Sequence, residues 1–121
     1  MSLTFTYYKE ADECWPSVVK NIISNRLFVN EWRLRLELNC NQVKQAVLCM
    51  DYGKPVACFT ISCVGKDYYG SCFVRKAYRR QGIGKRLYLE MMKHSPPDFT
   101  VGYGVKGSRE FWDSLGAEMY N

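Results

Sequence analysis

Histidine occurs once in this chain, at position 94, and no Cys-x-x-Cys pair occurs among its six cysteines. A zinc site built from clustered cysteine and histidine is thereby excluded. Six cysteines in 121 residues fall below the density of a disulfide scaffold, roughly 8–10%. Four of them (Cys49, Cys58, Cys63 and Cys72) lie in strand-like segments, where free cysteine behaves as a small buried hydrophobe. A nucleophilic cysteine needs a basic partner, and a lone histidine at a helix end is a poor one. No apolar run approaches the roughly 18 residues of a membrane-spanning helix. Met1-Ser2-Leu3-Thr4-Phe5 lacks the basic and apolar segments of a secretory signal. The default expectation is a cytoplasmic protein with no membrane partner. Repeats, low-complexity stretches and linkers are also missing, so residues 1–121 read as one domain.

Acidic residues are missing from one stretch in particular. Residues 75–86 contain Arg75, Lys76, Arg79, Arg80, Lys85 and Arg86 and no acid. The net charge is +5, and the rest of the chain carries 11 basic and 12 acidic residues. A nucleic-acid binder spreads its positive charge over an extended face. A short basic segment on a neutral chain suits a small polyanion better, and no nucleic-acid partner is expected.

The periodicities alternate between strand and helix. Leu3 to Tyr7 alternates with period two. Trp15, Val18, Val19, Ile22 and Ile23 form one helical stripe, with Asp12 as its expected cap and Pro16 in the first turn. Residues 27–40 carry both signals. Leu34, Leu36 and Leu38 alternate like a strand, while Val29, Trp32 and Leu36 share a helical face, which is preferred. Ala46–Met50 and Pro55–Val64 read as a hairpin across Asp51-Tyr52-Gly53-Lys54. A turn at Gly65-Lys66-Asp67 leads to a strand over Tyr68–Val74. Ile83, Leu87 and Met91 recur every four residues in a helix that His94-Ser95-Pro96-Pro97 ends. Phe99, Val101, Tyr103 and Val105 alternate again, and a last helix runs from about Ser108 to Leu115 before Gly116. This order predicts an α/β (α+β) fold with a mixed sheet flanked by helices.

The segment Ser71–Leu87 joins a strand to a helix through Arg79-Arg80-Gln81-Gly82-Ile83-Gly84. The first N–H groups of a helix have no internal acceptor, and the helix dipole makes that end positive. A phosphate can accept several of those bonds at once. Gly82 and Gly84 lack a Cβ that would hold an anion away from the backbone, and Arg79, Arg80 and Lys85 add charge. A diphosphate is the ligand this chemistry favours. The same residues also suit a plain tight turn with a solvated basic face. The nucleoside-triphosphate loop is excluded, since no Gly-Lys-Ser/Thr follows, and the three-glycine dinucleotide fingerprint is incomplete.

These residues carry a resemblance to the GNAT (GCN5-related N-acetyltransferase) superfamily. Its loop pattern Arg/Gln-x-x-Gly-x-Gly/Ala resembles residues 79–84, and its aromatic pair before x-x-Leu-Gly resembles Phe111-Trp112-Asp113-Ser114-Leu115-Gly116. Residues 68–117 carry the match, and the first 45 match only in element order. The resemblance implies a GNAT acyl-CoA acyltransferase fold, acetyl-coenzyme A as cofactor and an amine as acceptor. The implied cofactor residues are Phe73, Val74, Arg79, Arg80, Gln81, Gly82, Ile83, Gly84 and Lys85. A backbone N–H at Phe73 or Val74 would face the thioester oxygen and stabilise charge developing there.

Several departures bear on catalysis. An alkylamine with a pKa near 10 must lose a proton before it attacks. Many relatives use a glutamate on the fourth strand, but this strand has only Asp67, at its start. Glu31, Glu37 or ordered water are the substitutes. Where many relatives carry an acidic tyrosine this chain has Trp112, which leaves Tyr103 and Ser108 as candidate catalytic residues. Lys76 stands where the family often has proline. A non-catalytic acetyl-CoA-binding sensor or interaction module is the alternative. The short chain is also compatible with a homodimer that completes the acceptor cleft.

Overall fold

The computed structural model describes residues 2–24 and 41–101. The sequence expectations at residues 27–40, the later part of the Phe99–Val105 strand, and the last helix lie outside them. So do Glu31, Glu37, Tyr103, Ser108 and the aromatic pair. The described elements are β1 (Leu3–Lys9), α1 (Trp15–Ser24), β2 (Val43–Asp51), β3 (Lys54–Val64), β4 (Asp67–Val74), a 3-10 turn (Lys76–Tyr78), α2 (Ile83–Met92) and β5 (Thr100–Val101). They form one five-stranded sheet in the order β1-β2-β3-β4-β5. The first four strands are antiparallel neighbours, and β5 runs parallel to β4. The sheet is therefore mixed, as the periodicities predict.

Each strand sends alternate side chains to opposite faces. Val47, Cys49, Ala57, Phe59 and Ile61 meet Ile83, Leu87 and Met91 of α2 in one core. Ala46, Leu48 and Cys58 meet Trp15, Val18 and Ile22 of α1 in the other. The four-residue recurrence in α2 exists because Ile83, Leu87 and Met91 all lie on its buried side, at 2% exposure or less. Phe59 also receives the rings of Phe99 and Tyr88, at 5.7 and 6.0 Å.

Two local expectations change. β2 begins at Val43 rather than Ala46. Lys44 and Gln45 extend it because both find partners: Lys44 Nζ reaches Glu10 Oε2 at 2.9 Å, and the Tyr7 hydroxyl donates to Gln45 Oε1 at 2.8 Å. Asp12 does not cap α1. Its carboxylate accepts from the Lys9 N–H at 2.9 Å and closes the turn after β1, while the Cys14 carbonyl receives the first helical bond from Val18. The hairpin turn falls where expected, with Tyr52 (φ 50°) and Gly53 (φ 79°) in the left-handed region, so that Asp51 faces Lys54. The five described cysteines, Cys14, Cys49, Cys58, Cys63 and Cys72, are free thiols.

Candidate functional site

The last residues of β4 lead through the 3-10 turn into the N-terminus of α2. On its inner edge β4 pairs with β3, Val74 opposite Ala57 and Phe73 opposite Cys58. The Arg75 N–H donates to the Val56 carbonyl at 2.9 Å. Hydrogen-bonded and non-bonded pairs alternate along an antiparallel ladder. Phe73 therefore exchanges its main-chain bonds with Cys58, while Cys72 and Val74 turn their N–H and C=O groups to the opposite edge. An independent contact agrees: the Val74 carbonyl accepts from Arg79 Nε at 2.9 Å. β5 pairs with this edge at Tyr69 and Gly70, and beyond Gly70 the described residues supply β4 no partner there. The two residues expected to offer an N–H thus separate. Val74 has an outward amide, as does Cys72, which the sequence reasoning missed because only register reveals parity. At Phe73 the register gives the amide to β3, and the side chain packs toward α1.

The loop itself divides into anchors and an open span. Arg79 is tied back by its side chain, and the Ile83 side chain is buried in the core at 2% exposure. Between them Arg80, Gln81 and Gly82 are exposed. Arg80 (φ 62°) and Gly82 (φ 74°, ψ 11°) occupy the left-handed region. For a side chain such as arginine that conformation costs roughly 1–2 kcal/mol, a strain of the kind found where backbone groups must be aimed. Gly82 is the N-cap of α2, and a Cβ built there would meet nothing within 4 Å. The main chain at Gly82 is therefore not crowded by any described residue.

The Gly82 carbonyl accepts the first helical bond from Arg86 at 3.1 Å. That leaves the N–H groups of Ile83, Gly84 and Lys85 ahead of it, and no described residue accepts from them. No side chain caps the helix and no acid stands in its first turn. Lys85 is exposed, whereas Gly84 is buried. The openness expected at both glycines belongs to Gly82 alone, and Ile83 and Gly84 present main chain rather than side chain. No described carboxylate pairs with any of the six basic residues of this stretch. Arg86 lies 4.1 Å over the Phe5 ring, a cation–π contact. A helix N-terminus flanked by cations that no described carboxylate pairs fits a diphosphate.

Two nearby thiols are held protonated at neutral pH. Burial pushes Cys72 up to about 12. Burial also pushes Cys49 up to about 11, with Arg86 opposing and Asp51 reinforcing. Neither is a nucleophile near pH 7. At the other end of β4, Lys66, Asp67, Tyr68, Tyr69, Asp98, Phe99 and Thr100 line a shallow groove of about 300 Å³. Asp67, the only carboxylate of β4, sits there opposite Val64 and away from Val74. A further link escaped the sequence reasoning. The Tyr78 hydroxyl donates to Asp51 Oδ2 at 2.6 Å across 27 residues. Nothing in a periodicity signals such a contact.

Among the described residues, a mixed sheet whose fourth strand is unpaired on its outer edge beyond Gly70 and feeds an open helix end is an arrangement suited to a phosphorylated ligand. The chain belongs to the acetyltransferase (GNAT) family, whose family model matches residues 6–116. It is an acyltransferase of the N-acetyltransferase type, and the family's acyl donor is acetyl-coenzyme A. Solved structures share the fold at low identity. A GNAT-family acetyltransferase from Streptococcus pneumoniae aligns over 97% of this chain and 88% of its own, at 18% identity and a TM-score of 0.67. A ribosomal-protein-alanine N-acetyltransferase from Brucella melitensis aligns over 100% and 94%, at 10% identity and 0.64. An aminoglycoside N-acetyltransferase solved with CoA aligns over 99% and 90%, at 12% identity and 0.62. Among curated proteins none matches the sequence.

Proposed function

We propose that this chain transfers the acetyl group of acetyl-CoA to a primary amine on a small molecule or protein, with the cofactor held along β4 and the mouth of α2. The bound cofactor would supply an acyl thioester open to attack by an amine. The N–H groups of Gly82, Ile83, Gly84 and Lys85 would hold its diphosphate, with Arg80, Gln81 and Lys85 around it and Arg79 shaping the loop. The outward amides of Val74 and Cys72 would line the cofactor's arm, one of them donating to the thioester oxygen. The observation that carries this reading is that, among the described residues, the edge of β4 beyond Gly70 has no partner and runs directly into a helix N-terminus with no side-chain cap. Solved relatives named for aminoglycosides and for a ribosomal-protein alanine are consistent with either kind of acceptor. Tyr103 and Ser108 remain the proposed proton donors to the leaving thiolate, and one continuous cytoplasmic domain remains the proposed setting.

A second reading has an observation of its own. The single β4 carboxylate, Asp67, lies at the far end of the strand from Val74, so β4 supplies no base beside the thioester. This favours either proton loss through water or a chain that binds acetyl-CoA without turnover. Thiol release from acetyl-CoA, followed against a panel of polyamines, aminoglycosides and peptide amines, tests the proposal. Release with at least one amine class is expected. Tight CoA binding with no release on any amine would replace the enzyme by the binding module.

A further inference from the structure

The open span of the loop needs a fixed frame, and part of that frame is remote in sequence. Asp51 closes β2 at the hairpin tip, opposite Leu3 of β1 and Lys54 of β3. Both of its oxygens are engaged: Oδ1 accepts from the Ser2 N–H at 3.0 Å and Oδ2 from the Tyr78 hydroxyl at 2.6 Å. Ser2 is itself fixed, since its carbonyl accepts from the Tyr52 N–H at 3.3 Å. The carboxylate therefore cannot swing away without breaking the junction of three strands. Tyr78 is half-buried, packs on the core beneath α2, and ends the 3-10 turn just before Arg79. The bond is short and charge-assisted, the stronger class of hydrogen bond.

We propose that Asp51 is a positioning residue for cofactor binding: through Tyr78 it fixes the entry of the 79–82 loop and so holds the α2 amides toward the diphosphate. The idea rests on the cofactor reading above but adds a residue that touches no cofactor. Three tethers then bracket the open span. Tyr78 binds the hairpin, Arg79 binds the end of β4, and Ile83 sits in the core. Only Arg80, Gln81 and Gly82 are left outside. Contact with the ligand is not the reason for an acid here, because a carboxylate beside a diphosphate repels it; the tyrosine stands between them. The chemistry of the pair is consistent with a permanent tether. The Tyr78 bond holds the Asp51 carboxyl below its ordinary range, and Asp51 raises the Tyr78 phenol, so the donor keeps its proton at neutral pH.

The test is calorimetric titration of CoA into the full chain and into Tyr78→Phe, Asp51→Ala, the double variant and Asp51→Asn. Amide hydrogen exchange over residues 79–85, without ligand, accompanies it. Each of the first two should weaken CoA by about tenfold, and the double variant should be no worse than either. Asp51→Asn, whose carboxamide oxygen still accepts from Tyr78, should lose less than Asp51→Ala. Exchange at 79–85 should rise in Tyr78→Phe while protection of β2 and β3 stays unchanged, which a general loss of stability would not produce. If the wild type and Gly82→Asp differ in CoA affinity but Tyr78→Phe binds like wild type, the tether has no positioning role and the cofactor site stands. Additive losses in the double variant would also overturn it. A wild type that does not bind CoA would overturn the cofactor reading first and this inference with it.

Discussion

Two turns of this molecule use the same backbone conformation to opposite ends. The β2–β3 hairpin holds Tyr52 and Gly53 at positive φ, and the β4–α2 loop does the same with Arg80 and Gly82. In both, a glycine accompanies a larger residue and faces open space, since a Cβ at Gly53 or Gly82 would meet nothing within 4 Å. The hairpin turn closes on itself, because its strands pair again at once through Asp51 and Lys54. The loop does not close: it passes from a strand edge to a helix end whose first amides no described residue accepts from. Left-handed backbone is thus a means of bending chain. It becomes a candidate site only where the bend leaves donors unsatisfied and surrounds them with unpaired cations.

That contrast is open to experiment. Gly82→Asp is expected to weaken CoA by at least roughly 100-fold, because it places bulk and negative charge over the helix end. Gly53→Asp, the same change in the same conformation, should leave CoA affinity within about twofold and cost about 1 kcal/mol of stability. Calorimetry and thermal melts separate the two effects. Arg79→Ala should weaken CoA by only about fivefold, since it removes one exposed cation and the bond to Val74.

A third comparison point is the sheet interior. Thr60 is fully buried on β3, and no described residue hydrogen-bonds its hydroxyl. Thr60→Val keeps the shape and removes that hydroxyl, so it should raise stability by about 1 kcal/mol, or roughly 4 °C in Tm, with CoA affinity unchanged. The smallest expected effect concerns pH. Asp51 has a folded pKa held down chiefly by Tyr78 and next by the Ser2 N–H. Its stabilising contribution is present above the unfolded carboxylate value, about 3.9, and disappears as pH falls through the lower folded value. In Tyr78→Phe the folded value lies closer to the unfolded one, so the loss should be smaller and complete at a higher pH, with its onset unchanged. Urea melts between roughly pH 2 and 6 would show the displacement.

Much of the framework was legible from residues alone. Asp51-Tyr52-Gly53-Lys54 marked the hairpin, because that turn needs residues that accept positive φ. The spacing of Ile83, Leu87 and Met91 marked α2 because one side of the helix meets the sheet. The loop was legible as a strand-to-helix passage rich in glycine and positive charge. What stayed hidden depends on long-range pairing. The outward amides of Cys72 and Val74 follow from the register of β4 on β3, which single-strand alternation does not determine. Asp12 had the chemistry of a helix cap, but the Lys9 N–H lay closer to hand. The Tyr78–Asp51 bond joins residues 27 apart that share no pattern.

The most direct measurement follows the main-chain amide resonances of the isotopically labelled protein as CoA is added. Saturable shifts should appear at Gly82, Ile83, Gly84, Lys85 and Val74, while Gly53 and Phe73 stay in place. Shifts confined to the groove around Lys66 and Thr100, or none at the mouth of α2, would contradict the account.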